Sequence, residues 1–148
     1  MFPRLSVAIL AALTVTACAD ISGPSRLSLA QLAGTWNLSR LEMVLASDTS
    51  VHQDVKAIYG IRATLTINRD GSAVLVAEAQ GQPSMTLSAT ITLRGDTLIY
   101  EIEGSTFETV ARLTGRTMTW LAVQTNLWDM DGDGTPEDVF ERDVWQRQ

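Results

Sequence analysis

From Gly34 onward, apolar and polar residues alternate with a period of two. Ile61, Ala63, Leu65 and Ile67 share one face, with Arg62, Thr64, Thr66 and Asn68 on the other; this is the pattern of a strand with one buried side. Asn68-Arg69-Asp70-Gly71 follows and predicts a hairpin, because the Asp-Gly pair accepts the positive φ that tight turns require. Ser72 to Ala79 is the return strand. Met85, Leu87, Ala89, Ile91 and Leu93 alternate with Thr86, Ser88, Thr90 and Thr92. Arg94-Gly95-Asp96 turns the chain into Thr97 to Glu103, and Gly104-Ser105 turns it into a strand with Phe107, Thr109, Ala111 and Leu113 on one face. Gly115-Arg116 leads to Thr117 to Thr125, where Met118, Trp120 and Ala122 alternate with Thr119, Leu121 and Val123. A first strand from Thr35 to about Leu45 and a last from Val139 to Gln146 bring the count to about eight.

Eight short strands joined by tight sequential hairpins predict an all-β fold, an eight-stranded antiparallel up-and-down barrel, in which closure removes exposed edges. A barrel of that size holds packed side chains or one small ligand. Outward positions rich in Thr, Arg, Glu and Asn argue against a membrane-spanning barrel, which needs an apolar outer band. The longest irregular stretch is Ala46 to Gly60, with a helical turn expected at about Gln53 to Tyr59. Such a loop is either a lid or a solvated excursion.

The N-terminus has a different texture. Arg4 precedes an apolar run from Leu5 to Thr16, the layout of a secretory signal and shorter than the roughly 20 residues that span a bilayer. Val15-Thr16-Ala17-Cys18 resembles the lipobox of bacterial lipoproteins. The resemblance implies that 1–17 is a signal peptide, that Cys18 carries diacylglyceryl and palmitate-like acyl chains, and that 18–31 is a tether. It also implies a cell-envelope protein anchored to a membrane through lipid on Cys18, with the outer membrane favoured because Ala19, not Asp, follows the cysteine. The alternative is an ordinary signal cleaved at Ala17 or Ala19, with Cys18 incidental.

Leu32-Ala33-Gly34-Thr35-Trp36 opens the strand-rich region, 32–148. A Gly-x-Trp at the first strand of an eight-stranded meander resembles the lipocalin-like group. That resemblance implies that Trp36 closes the barrel floor under an arginine near the last strand, either Arg142 or Arg147, and that the barrel takes a small apolar ligand. Met85, Tyr100, Phe107, Met118 and Trp120 fall on the inward face, as pocket lining or as plain core. No Thr-Asp-Tyr motif accompanies them.

Charge narrows the partners. The chain carries a formal −6; without Arg4 of the leader the remainder is −6 − 1 = −7. An acidic chain with no basic cluster has no footprint for nucleic acid. The single cysteine leaves no internal disulfide. What remains is a membrane reached through lipid, a small apolar ligand, or an envelope protein partner contacting a filled barrel.

One stretch carries chemistry of its own, Asp129-Met130-Asp131-Gly132-Asp133-Gly134-Thr135-Pro136-Glu137-Asp138. Carboxylates at alternate positions with a glycine for a sharp turn converge oxygens on a hard cation. Asp129, Asp131, Asp133 and Glu137 are the carboxylate candidates, and Thr135 can add its carbonyl. Phe140 stands where an EF-hand has its bidentate Glu. The loop resembles the calcium loops of exported repeat proteins, and implies a structural calcium; an acidic turn that stays solvated is the other reading. His52 with Asp54, Ser47 and Ser50 lacks a nucleophile elbow. Glu101, Glu103 and Glu108 fall on the outer face, so the expectation is a protein that is not an enzyme.

Overall fold

The computed structural model describes residues 26–148, so the lipidation candidate Cys18 lies outside the described residues. The elements are α1 (Leu29–Leu32), β1 (Gly34–Leu45), β2 (His52–Asp54), α2 (Val55–Tyr59), β3 (Arg62–Ile67), β4 (Ser72–Glu78), β5 (Met85–Arg94), β6 (Thr97–Ile102), β7 (Ser105–Thr114), β8 (Thr117–Ala122), β9 (Asn126–Trp128) and β10 (Glu137–Arg147). Eight of the strands form a closed antiparallel up-and-down barrel in the order β1-β3-β4-β5-β6-β7-β8-β10, with β10 pairing back onto β1. The barrel strands match the alternating segments one for one. The short strands β2 and β9 had no counterpart in the pattern, because three residues are too few to show a period.

The two extra strands exist because β1 and β10 are longer than their neighbours. Their pairing runs from Trp36↔Arg147 to Leu45↔Val139. β3 covers only Gly34–Asn37 of β1, after which β2 pairs with Glu42–Val44. On the other side β8 covers Arg142–Gln146 of β10, and β9 covers Glu137–Val139. The β1–β10 ribbon thus projects past the barrel rim as a four-stranded tab, with both exposed edges paired. The register shifts between Leu38 and Arg40, a bulge that changes the parity of β1. Trp36 and Leu38 face inward before it, and Leu41 after it.

One end is sealed. Ser28 caps α1 in a reciprocal capping box with Gln31, which satisfies the exposed amides at the start of this one-turn helix. Leu32 and Trp36 are fully buried, packed with Ile67, Ala73, Ile91, Leu98, Met118 and Trp145. The Trp36 Nε1–H donates to the Leu32 carbonyl at 2.8 Å, and the Arg147 guanidinium lies over the Trp36 ring, 4.4 Å from its centroid. Arg147 also donates to the Gln31 carbonyl. Gly71 completes the seal: its φ is +88°, and a Cβ there would collide with the Ile91 carbonyl oxygen, which leaves glycine the only residue that fits.

The other end is spanned in part by the long loop. Asp54 caps α2 by accepting from the Ala57 N–H at 3.2 Å, and Gly60 ends the helix in the left-handed conformation. The Gln80 N–H donates to the Tyr59 carbonyl at 3.0 Å, tying α2 to the β4–β5 turn. From the opposite side of the tab, the Trp128 Nε1–H donates to Gln53 Oε1 at 2.8 Å, and its ring meets Tyr59 edge-on at 6.3 Å.

Candidate ligand site and acidic loop

Inward-facing side chains become more exposed from the sealed end toward the other rim. Met118 is fully buried and Trp120 is 8% exposed, so these two belong to the core. Leu75, Leu87, Tyr100 and Ile102 are half-buried. Met85 and Phe107, on the same faces as Ile91 and Ala111, are 52% and 45% exposed. The lower barrel is therefore filled by side chains, and the upper inward face is partly exposed. An aromatic run descends along it: Phe107 stacks on Tyr100 at 5.2 Å, Tyr100 on Trp120 at 5.9 Å, and Trp120 meets Trp145 at 5.7 Å. A shallow apolar depression of about 450 Å³ opens on the rim, lined by Ile61, Ala77, Ala79, Pro83 and Met85.

Strand β10 adds two groups that the pattern did not single out. Val139, Glu141, Asp143 and Trp145 share one face, and the ends of that series are buried in the interior. Asp143 pairs with Trp120 on one side and Leu41 on the other, and Glu141 with Met43. Asp143 Oδ1 is sealed from solvent with no hydrogen-bond partner, as are Trp120 Nε1, Trp145 Nε1 and Thr109 Oγ1. Burial pushes the Asp143 carboxyl well above the usual carboxylate range, and the neighbouring Glu141 charge adds to it. Burial raises Glu141 too. The Tyr100 phenol is pushed up to about 12, by burial first and then by the charges of Glu141 and Asp143. These shifts describe one site, since each group disfavours added negative charge in the same low-dielectric space. The pair escaped the sequence pattern because both faces of β10 are mixed, Phe140, Arg142 and Val144 opposing Val139, Glu141 and Asp143. The flanking Val139 and Trp145 were the available signal.

The acidic loop joins β9 to β10. Asp129, Asp131, Asp133 and Glu137 each offer a carboxylate oxygen, all within 4.8 Å of one another, and together could hold a metal ion. The backbone wraps these carboxylates in Asx-type turns. Asp129 accepts from Gly132 N–H at 2.7 Å and Gly134 N–H at 2.9 Å, Asp131 from Asp133 N–H, and Asp133 from Thr135 N–H. Glu137 reaches back to accept from Met130 N–H at 2.8 Å. The loop adjoins the Trp128–Gln53 hydrogen bond, since Asp129 directly follows Trp128.

The remaining candidates are placed elsewhere. Of the two arginines proposed over Trp36, Arg147 takes the role. Arg142 lies on the outer face, paired at 2.7 Å with Glu42, a buried carboxylate that also meets Arg40 at 3.4 Å and His52 at 3.8 Å. His52 therefore faces Glu42, while Ser50 bonds Asp48. Glu108 is held by Arg94 at 3.0 Å on the outside. Compared with known proteins, the chain matches no family model and no curated protein sequence.

Proposed function

We propose that this is a lipid-anchored envelope protein whose lipocalin-like barrel binds a small, largely apolar ligand in its upper half. The observation that carries the reading is the half-exposure of Met85 and Phe107, which face inward yet are not covered. Apolar walls with a few convergent polar groups are the usual make-up of a small-molecule site. Lipid on Cys18 holds the domain to the membrane, favouring the outer membrane, because the acidic surface has no attraction of its own for anionic headgroups. The acidic loop takes a calcium ion that orders the β9–β10 turn, and with it the Trp128–Gln53 latch across the rim.

Native mass spectrometry of the full-length chain released from its membrane tests the binding reading: a co-purifying mass of lipid-like size supports it, and a bare chain that also refuses added alkyl probes contradicts it. A second reading, a module that docks an envelope protein, is favoured by an outer groove of about 410 Å³ lined by Val44, Val110, Leu121 and Phe140. Val110→Asp and Leu121→Asp would abolish a pull-down partner under that reading and leave ligand binding intact.

A further inference from the structure

We propose that the sealed end of the barrel faces the membrane, its arginines turned toward anionic lipid headgroups, with the open rim and the acidic loop pointing away. The proposal rests on the lipid-anchor reading and adds the orientation of the anchored domain. The net charge gives the molecule as a whole no pull toward such a surface, but that charge is unevenly spread along the barrel axis. Three hairpin turns meet at the sealed end, and each carries an arginine: Arg69 between β3 and β4, Arg94 at the close of β5, and Arg116 between β7 and β8. Gly71 of the first turn packs on Leu29 of α1. The Arg147 N–H donates to the Arg116 carbonyl at 2.9 Å, and the Arg116 guanidinium donates back to the Arg147 carbonyl at 2.9 Å. Arg26, where the described chain begins, is at the same end. The acidic side chains among these five arginines are Asp70 and Asp96. Arg94 is shared with Glu108 and Arg147 with the Trp36 ring, while Arg26, Arg69 and Arg116 are exposed and form no ion pair among the described residues.

The opposite end has the reverse sign. The acidic loop contributes Asp129, Asp131, Asp133, Glu137 and Asp138. The neighbouring loops and turns add Asp48, Asp54, Glu78 and Glu103, against the cations Lys56 and Arg62. This end therefore stays negative even with a divalent ion in the loop. A second, independent observation is where the chain enters the fold. Leu27 packs against the core and shares a surface depression with Asp96, Leu113 and Thr114, so the segment leading back to Cys18 joins the barrel at its basic end. Arg26 follows Cys18 by eight residues, which bounds the distance from the lipidated residue to this end at about 28 Å. A bound of that size admits a domain lying on its side as readily as one standing upright. The two charged ends decide between them: a negative surface potential attracts each arginine and repels each carboxylate that comes within a Debye length of it. The upright pose also leaves the rim at Met85 and Phe107 open to water and to a ligand.

The test reconstitutes the full-length chain, purified from its host membrane, into vesicles of phosphatidylcholine alone or of phosphatidylcholine and phosphatidylglycerol in equal parts. A fluorophore is attached through Thr114→Cys at the sealed end or, separately, Gln82→Cys at the rim, both exposed positions, and energy transfer to a headgroup acceptor is measured. Transfer should be stronger from the Thr114 site than from the Gln82 site in the anionic vesicles. The gap should shrink about twofold or more in pure phosphatidylcholine, and likewise in about 1 M salt, where the Debye length falls to about 3 Å. Arg69→Glu combined with Arg116→Glu should remove it in the anionic vesicles. A rim label as close to the headgroups as the sealed-end label, or a gap untouched by lipid charge, salt and the arginine substitutions, would overturn orientation by charge and leave the anchor standing. A full-length chain that floats with neither vesicle would overturn the anchor itself and the orientation with it.

Discussion

Asp143→Asn should stabilise the protein at neutral pH, contrary to the usual outcome for an interior substitution. The wild-type carboxyl is held well above its ordinary value, by burial first and by the Glu141 charge second. A carboxyl whose folded pKa exceeds its unfolded one binds its proton more tightly in the native state. That preference is fully present below the unfolded value near 4 and is lost as pH rises through the folded value. Asp48 and Asp70 run the other way, lowered by hydrogen bonds from Ser50 and Ser72, but their contribution is already complete above about pH 5. Wild type should therefore lose stability as pH rises above the unfolded carboxyl value near 4, and the asparagine variant should lose less. Replacing an uncompensated interior carboxylate by an amide of the same shape removes a penalty of about 1.4 kcal/mol for each pH unit above the unfolded value, up to the folded one, and each kcal/mol raises the melting temperature by about 4 °C in a domain of this size. Thermal unfolding of both proteins across that pH range measures the gap directly. A variant that melts at or below wild type at about pH 8, or a gap that stays constant on acidification, would refute the buried-charge reasoning.

Three further outcomes are expected. Calcium at about 10 mM should stabilise the chain by about 1.4–2.7 kcal/mol for a dissociation constant of roughly 10⁻⁴–10⁻³ M, read as a chelator-reversible rise in melting temperature that Asp131→Asn and Asp133→Asn abolish. Gly71→Ala should cost about 2 kcal/mol or more in a denaturant titration, because positive φ is compounded by a backbone clash, whereas Gly104→Ala, with the same sign of φ and open space around it, should cost about 1 kcal/mol. Trp128→Phe removes the donor to Gln53 and should speed amide exchange in α2 and β9 while leaving the Trp36 floor unchanged.

Much of this fold is legible in the sequence. The alternation in β3 to β8 and the Asp-Gly turn at Gly71 specify strands and hairpins locally, and closure follows from the need to pair both edges. Trp36 was recognisable as floor only through the resemblance of Gly34-Thr35-Trp36 to the opening of lipocalin-like barrels. The choice between Arg142 and Arg147 was not legible, since the two sit on opposite faces of one strand and the bulge after Leu38 decides how β1 receives them. Glu141 and Asp143 were hidden for a related reason: β10 is half tab and half barrel, so neither face shows a uniform character. The acidic loop was readable as a motif, and its convergence, with Glu137 folding back onto Met130 N–H, depends on the β9–β10 pairing that three residues could not announce.

Methionine methyl groups offer the most direct view of whether the barrel takes a guest in its upper half. Met85 stands at the rim, Met43 opposite Glu141, Met118 in the sealed floor and Met130 in the acidic loop. With the methyls labelled, titration of hexanol should shift Met85 and Met43 in NMR spectra, saturably, and leave Met118 and Met130 in place. Saturating shifts confined to Met130, or none at any methyl, would contradict a binding site above the Trp36 floor.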